Sequence, residues 1–387
     1  MNKHSLWLSV LLSGVLFTGC WDRREINDVG FVMATAIDRE KSGKFQVSVQ
    51  VAVPTALSQS SRGMSNQGQE PVMWVTAQGA QLNNLRSDLQ TQLSRKLNTS
   101  HRRVLAIGED MAKYGLNELL DELSRNPQNR LRTYMIVARG HKASELLNIN
   151  YPIEAYPSEG LREMEKIGFG TGSTLRDFFI ESTLPGMQPV VSAYRLSDSP
   201  PHIFQLDGVA VFRDLKLVGY LQGHSAQGLL IVKEKLKDAV FSLHIPSGGD
   251  KFVTVLSKEI KCRPRVEIID GKPHFSYQVR VQGIILQNTT KLDFMNPKYI
   301  EELNSALAQK TCEYIQQAIR QLQAYKSDGI AAGTELYRHH PKEWDKVKDD
   351  WPNQFAKLKF TVTADAQVRQ VGMLGAQLEL PSSEVVK

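Results

Sequence analysis

The chain has 387 residues, of which 41% are hydrophobic and 23% charged, and its formal net charge is +6. This composition excludes a disordered or fibrous chain, and the length suits two or three domains at about 100–200 residues each. The basic excess is mild and interleaved with acids, as in Lys233-Glu234-Lys235-Leu236-Lys237-Asp238. It suits a position near anionic lipid or cell-wall polymer, but lacks the dense basic face and aromatic platforms that nucleic-acid binding needs.

The first element is a targeting segment. Lys3 supplies a positive start, and Leu6 to Phe17 is an apolar run broken only by Ser9, Ser13 and Gly14. Crossing a bilayer takes about 20 apolar residues, so this run reads as a signal peptide over residues 1–19. Leu16-Phe17-Thr18-Gly19-Cys20 resembles the lipobox of bacterial lipoproteins, with Phe17 where an aliphatic residue is usual. In such proteins cleavage falls between the residues equivalent to Gly19 and Cys20, and the cysteine thiol takes a diacylglycerol. The alternative is an ordinary secretory peptide with an incidental cysteine. Two acyl chains suffice for stable anchoring, at about 0.8 kcal/mol per buried methylene. Cys262 and Cys312 then remain. They can pair in an oxidising compartment or stay unpaired as small hydrophobes, and the unpaired reading is preferred.

Val29–Asp38 and Phe45–Val53 alternate around Lys41-Ser42-Gly43-Lys44, which predicts a hairpin. Thr55 to Pro71 is polar and aperiodic, a mobile loop by pattern. Leu82, Leu85, Leu89, Leu93 and Leu97 form one helical stripe. Val104–Ile107 and Thr133–Ala138 read as strands, and Asn117–Arg125 and Lys142–Leu147 as helices. Ser158 is placed as the cap of a helix through Lys166, and Thr174-Leu175-Arg176-Asp177 has the capping-box form. Thr183 to Ser199 reads as linker or irregular structure. Gly208–Phe212 and Leu215–Tyr220 predict a second hairpin, and Gly228–Val232 and Val240–Ile245 further strands. Val266–Ile269 and Phe275–Val281 flank Asp270-Gly271, a tight-turn pair. Asn296-Pro297 opens a long amphipathic helix bearing Ile300, Leu303, Leu307, Tyr314, Ala318, Leu322 and Tyr325 on one face. A short helix at Glu335–His339 and a strand at Leu358–Ala364 close the chain. The predicted class is α+β in three domains, each a mixed or antiparallel sheet packed with helices. They cover residues 20–198, a small strand-rich unit at 199–250, and 251–387 with the long helix.

Candidate chemistry is sparse. Gly168-Phe169-Gly170-Thr171-Gly172-Ser173-Thr174 lacks the lysine of a phosphate loop and follows a helix, so it reads as a turn feeding a helix cap. His339-His340 are adjacent and point about 100° apart on a helix, so they do not chelate together. No HExxH, GxSxG or SxxK occurs. The expectation is no catalytic residue, no metal site and no cofactor. The aromatic set Tyr325, Tyr337, Trp344, Trp351 and Phe355 reads as core more readily than as interface.

Gly19-Cys20-Trp21-Asp22-Arg23-Arg24-Glu25-Ile26-Asn27-Asp28 is a distinctive string. It resembles the opening of the Ger(x)C family, the C-subunit lipoproteins of spore nutrient germinant receptors. The likeness continues through Ala36-Ile37-Asp38, Gly79-Ala80, His101, Ile107-Gly108-Glu109, Gly208-Val209-Ala210-Val211-Phe212 and Leu217-Val218-Gly219. It ends on Tyr325-Lys326-Ser327-Asp328, Pro341, Trp344 and Trp351, with Gly329-Ile330-Ala331-Ala332-Gly333 departing from the expected Phe-Gly turn. The resemblance implies a three-domain, non-catalytic lipoprotein needed for germination. Its implied partners are two integral membrane subunits of A and B type, with a small nutrient engaged only by the whole complex. Its implied place is the extracytoplasmic face of a cell membrane, the inner spore membrane in spores. The competing class is a substrate-binding lipoprotein of a transporter, which shares the lipobox but has two similar lobes about a hinge. A cell-wall hydrolase is the third class.

Overall fold

The computed structural model describes residues 28–53 and 72–370. The signal segment, Gly19, Cys20 and the expected loop at 55–71 lie outside the described residues. In chain order the first part runs β1 (Val29–Arg39), β2 (Phe45–Ala52), β3 (Val72–Gly79), α1 (Leu82–Thr91), β4 (Lys96–Asn98), β5 (Val104–Gly108), α2 (Glu109–Tyr114) and α3 (Asn117–Arg125). There follow β6 (Tyr134–Ala138), α4 (Ala143–Leu147), α5 (Pro157–Ile167), α6 (Leu175–Thr183), β7 (Val190–Leu196), β8 (Phe204–Arg213) and β9 (Lys216–Leu221). The second part has α7 (Gly223–Val232), β10 (Val240–Leu243), β11 (Val253–Ile269), β12 (Lys272–Asn288), α8 (Pro297–Tyr325), α9 (Ala332–His339), α10 (Pro341–Val347), α11 (Trp351–Phe355) and β13 (Phe360–Gln370).

Among the described residues the first sheet has nine strands, in the order β3-β2-β1-β5-β6-β7-β8-β9, with β4 beside β1. The centre, β1-β5-β6-β7, is parallel, and the flanks are antiparallel. Strands buried on both faces carry continuous apolar runs, and Val104-Leu105-Ala106-Ile107 is such a run, fully buried. Leu105 and Ile107 face a core filled by Leu85 and Leu89 of α1, Leu119 and Leu123 of α3 and Phe178 of α6. Val104 and Ala106 face Leu146 and Leu147 of α4 and Leu161 of α5. Helices therefore cover both faces of the parallel centre.

The second sheet runs β10-β11-β12-β13, with β13 parallel to β12. Its central hairpin has 17 residues in each strand, longer than the expected Val266–Ile269 and Phe275–Val281. Asp270 and Gly271 close it, both at positive φ, as the tight turn requires. α8 packs on this sheet with Leu303, Leu307, Tyr314, Ala318 and Leu322 buried as expected. Each fully buried leucine contributes about 1.5–3 kcal/mol. The Asn296 side chain accepts the Lys298 N–H and Pro297 fills the first turn, so the predicted start is met. The two parts are mixed α+β, as expected.

Several expectations are corrected. Thr183–Ser199, read as irregular, contains β7, because Val190–Ala193 is a buried strand flanked by two prolines that look like linker. Gly228–Val232 is helical, in α7, since a short apolar run does not by itself distinguish helix from strand. Gly228 sits where an added Cβ would lie 2.0 Å from the Tyr314 carbonyl oxygen, so α7 lies directly on the α8 backbone. The leucine stripe stops with α1, and Leu97 is buried on β4 instead. Ser158 does not cap α5; its hydroxyl donates to Gln50 Oε1 at 2.7 Å, and Tyr156 holds the cap position. The expected 199–250 unit meets a different division of strands. β8 and β9 hydrogen-bond onto β7 and extend the first sheet, while β10 joins the second.

Candidate functional site

Two clusters gather the residues that the sequence marked as distinctive. The first lies where the parallel strands β1, β5 and β6 end. Asp38, nearly last in β1, is 1% exposed. Its Oδ1 accepts the Ala143 N–H at 2.6 Å and its Oδ2 the Ser144 N–H at 3.0 Å, so it caps α4 from another strand. Free N–H groups at a helix start favour an anion there. Burial pushes the Asp38 carboxyl upward, against those two bonds and the nearby Lys142 charge. Gly108 makes the contact possible, because a Cβ there would fall 2.1 Å from Asp38 Oδ1. Glu109, the next residue, accepts the Gly140 N–H at 2.5 Å and pairs with Lys113 at 2.5 Å. Burial raises this carboxyl, but Lys113 and the Gly140 N–H outweigh it and hold it below the usual range. Lys142 pairs with Glu40 at 2.7 Å. Asp38, Gly108, Glu109 and Lys142 rim an open polar crevice of about 300 Å³ with Asp110, His141 and Glu145. Asp38 and Glu109 are spent on backbone N–H groups and lysine, so they fasten strand ends to α2 and α4; neither is poised as a free acid or base.

The second cluster joins the two sheets. Just beyond α8, Ser327 Oγ donates to the Phe212 carbonyl at 2.5 Å, and Arg213 Nη1 donates to the Tyr325 carbonyl at 3.0 Å. The Tyr325 ring lies over Gly219, where a Cβ would come within 2.3 Å, and its hydroxyl donates to the Tyr220 carbonyl at 3.2 Å. Asp328 is 1% exposed. It accepts the Ala332 N–H at 3.0 Å, the Gly333 N–H at 2.7 Å and the Trp351 indole N–H at 3.1 Å. The same indole also donates to the Gly186 carbonyl at 3.0 Å, and Gln188 N–H donates to the Asp328 carbonyl at 2.9 Å. Burial pushes the Asp328 carboxyl up to about 6 despite these donors. Trp344 and Trp351 meet edge to face at 5.1 Å. The departing Gly329–Gly333 segment thus forms the loop around Asp328, with Ala332 and Gly333 as its donors.

The remaining candidates resolve plainly. In the glycine-rich stretch the Thr171 and Gly172 N–H groups are already engaged. Gly172 N–H donates to Glu165 at 2.9 Å and Thr171 N–H to Ser192 Oγ at 2.8 Å. Glu165 also receives Ser192 Oγ at 3.0 Å and Tyr194 Oη at 2.6 Å. The stretch leads into the Thr174–Asp177 capping box of α6 as predicted. The sequence marked no role for Glu165; its place in a helix of otherwise solvated charges gave no signal. Cys262 and Cys312 are unpaired, and burial raises the Cys262 thiol to about 12. His339 is exposed and His340 half-buried, its ring 3.2 Å from the Val266 carbonyl. Trp344, Trp351 and Phe355 are core, while Tyr337 is 46% exposed. Among the described residues no group of three metal-ligating side chains occurs and no helix is long and apolar enough to cross a membrane.

Comparison with known proteins matches these parts. A family model described as spore germination protein N-terminal domain covers residues 22–196, and one described as spore germination B3/GerAC-like, C-terminal covers 207–372. YfkR of Bacillus subtilis (strain 168) is 28% identical over 370 residues, spanning 94% of this chain and 96% of its own. Spore germination protein KC of the same organism is 24% identical over 396 residues, spanning 96% and 97%. The crystal structure of the GerBC protein shares the fold, with a TM-score of 0.55 at 19% identity over 86% of this chain and 96% of that one. Since germination-family models account for both halves of the sequence, the chain belongs to the Ger(x)C family of spore germination proteins.

Proposed function

We propose that the protein is the lipid-anchored, non-catalytic subunit of a nutrient germinant receptor complex, tethered through Cys20 to the outer face of a membrane. In the spore this is the inner membrane. The observation that carries the reading is the use of the family's marked residues. Asp38, Gly108 and Glu109 fasten strand ends, and Ser327, Asp328 and Trp351 fasten one sheet to the other. These residues build a stiff body rather than a reaction centre. Such a body suits a part that docks on integral A- and B-type subunits and passes on their response to a small nutrient. The lipobox at Gly19-Cys20 supplies the tether, and confinement to the bilayer raises the effective concentration for docking. A transporter's binding lipoprotein is less well supported, since the two sheets differ in strand number and order.

The experiment is Cys20→Ala in germinating spores, with fractionation and mass spectrometry of the wild-type N-terminus. A diacylglycerol thioether on Cys20, release of the variant to the soluble fraction and loss of the nutrient response are expected. A released variant that germinates normally would refute the tethering role.

A further inference from the structure

We propose that the apolar cavity between the first sheet and helices α1 and α3 binds a small aliphatic carboxylate, with the Arg102 guanidinium and the Thr35 hydroxyl receiving its head group. The cavity has about 70 Å³ of free space and is walled mainly by aliphatic side chains, among them Val47, Leu85, Leu89 and Leu123. Arg102 and Thr35 also line it. Both are buried, at 6% and 4% exposure.

Arg102 Nη2 donates to Asn129 Oδ1 at 3.1 Å, an oxygen that also accepts Thr99 Oγ1 at 3.3 Å. Its Nε and the Thr35 hydroxyl have no hydrogen-bond partner among the described residues. Glu122 acts on Arg102 only through space and forms no ion pair with it among the described residues. Buried charges are paired in folded proteins, and an unpaired one costs several kcal/mol. Burial lowers the guanidinium to about 10, the direction expected of a cation that has lost water without gaining a carboxylate.

The missing partner can be described from its surroundings. Its head is an anion that matches a planar guanidinium fork and accepts a hydroxyl, which fits a carboxylate. A phosphate would bring more charge and more oxygens than these two donors satisfy. Its tail is hydrocarbon, because most of the wall is aliphatic, with Arg86, Thr99, Glu122, Asn126 and Asn129 as its other polar members. A water-sized probe takes about 10–15 Å³, so the space of about 70 Å³ holds about five to seven such groups, and a four- or five-carbon acid has about six or seven non-hydrogen atoms. None of this depends on Cys20 or on the partner subunits.

The test is calorimetric titration of the purified full-length chain with 3-methylbutanoate, its neutral isostere 3-methylbutan-1-ol, and octanoate. Saturable one-to-one binding of the five-carbon acid is expected, at least tenfold weaker for the alcohol and for octanoate. Arg102→Met should weaken it at least tenfold. Thr35→Val, which keeps the side-chain shape, should weaken it severalfold and decides the matter if the arginine variant does not fold. A cavity holding water only, seen as no saturable heat with either acid, would overturn the proposal. So would equal affinity for acid and alcohol, or Thr35→Val binding as the parent does.

Discussion

Replacing Asp328 by asparagine probes the joint between the sheets. The carboxylate accepts three N–H donors with two oxygens, Ala332 on Oδ1 and Gly333 and Trp351 on Oδ2. An asparagine can place its one oxygen toward the latter pair, which leaves its own NH2 facing the Ala332 N–H. Leaving a buried donor unsatisfied costs about 1–3 kcal/mol. The ionised aspartate carries a cost of its own. Burial moves its carboxyl from 3.8 to about 6 in the folded protein. Because the folded value lies above the unfolded one, this contribution is full below about pH 4 and is lost as pH rises through 6. At about 1.4 kcal/mol per unit, wild type loses about 2 kcal/mol between pH 4 and pH 8 that the asparagine variant keeps. The buried carboxyls of Asp38 and Glu165, also raised by burial, act alike in both proteins and cancel. The penalty of Asp328→Asn should therefore be largest near pH 4 and shrink by about 2 kcal/mol by pH 8. Urea unfolding followed by the fluorescence of Trp344 and Trp351 measures it. A difference constant to within about 0.5 kcal/mol over that range, or one that grows with pH, would refute the reasoning.

Gly108→Val should destabilise by about 3 kcal/mol or more, because the new Cβ takes the place of Asp38 Oδ1 and frees two N–H groups of α4; urea midpoints will show it, and a loss under 1 kcal/mol would count against the clasp. Lys233→Met leaves Glu181, paired with Lys233 at 2.6 Å with both side chains about nine-tenths buried, without its cation. A cost of about 3–5 kcal/mol is expected, relieved in part by adding Glu181→Leu, and a double-mutant cycle reads the difference. At pH 8 iodoacetamide should label Cys312 in the native chain well before Cys262, whose thiol is buried and raised to about 12; peptide mass mapping with and without urea checks the order.

Local signals determined much of the architecture. The hairpin at Asp270-Gly271, the Asn296-Pro297 helix start, the Thr174–Asp177 box and the buried run Val104–Ile107 all act within a few residues, so their pattern sufficed. The family was equally legible, since the marked residues run the length of the chain. Pairing across the sequence was not. β7 hid between prolines because its partners, β6 and β8, are not its own residues, and α7 read as a strand because what it packs on is the α8 backbone. The roles of Asp38, Glu165 and Asp328 were out of reach for the same reason. A carboxylate's meaning depends on which N–H groups the fold brings to it; for Asp38 they lie 105 residues away, and for Asp328, whose Ala332 and Gly333 donors are near in sequence, the Trp351 indole is 23 residues on. Tertiary structure alone decided where a buried charge is satisfied and where, at the Arg102 Nε, no partner stands among the described residues.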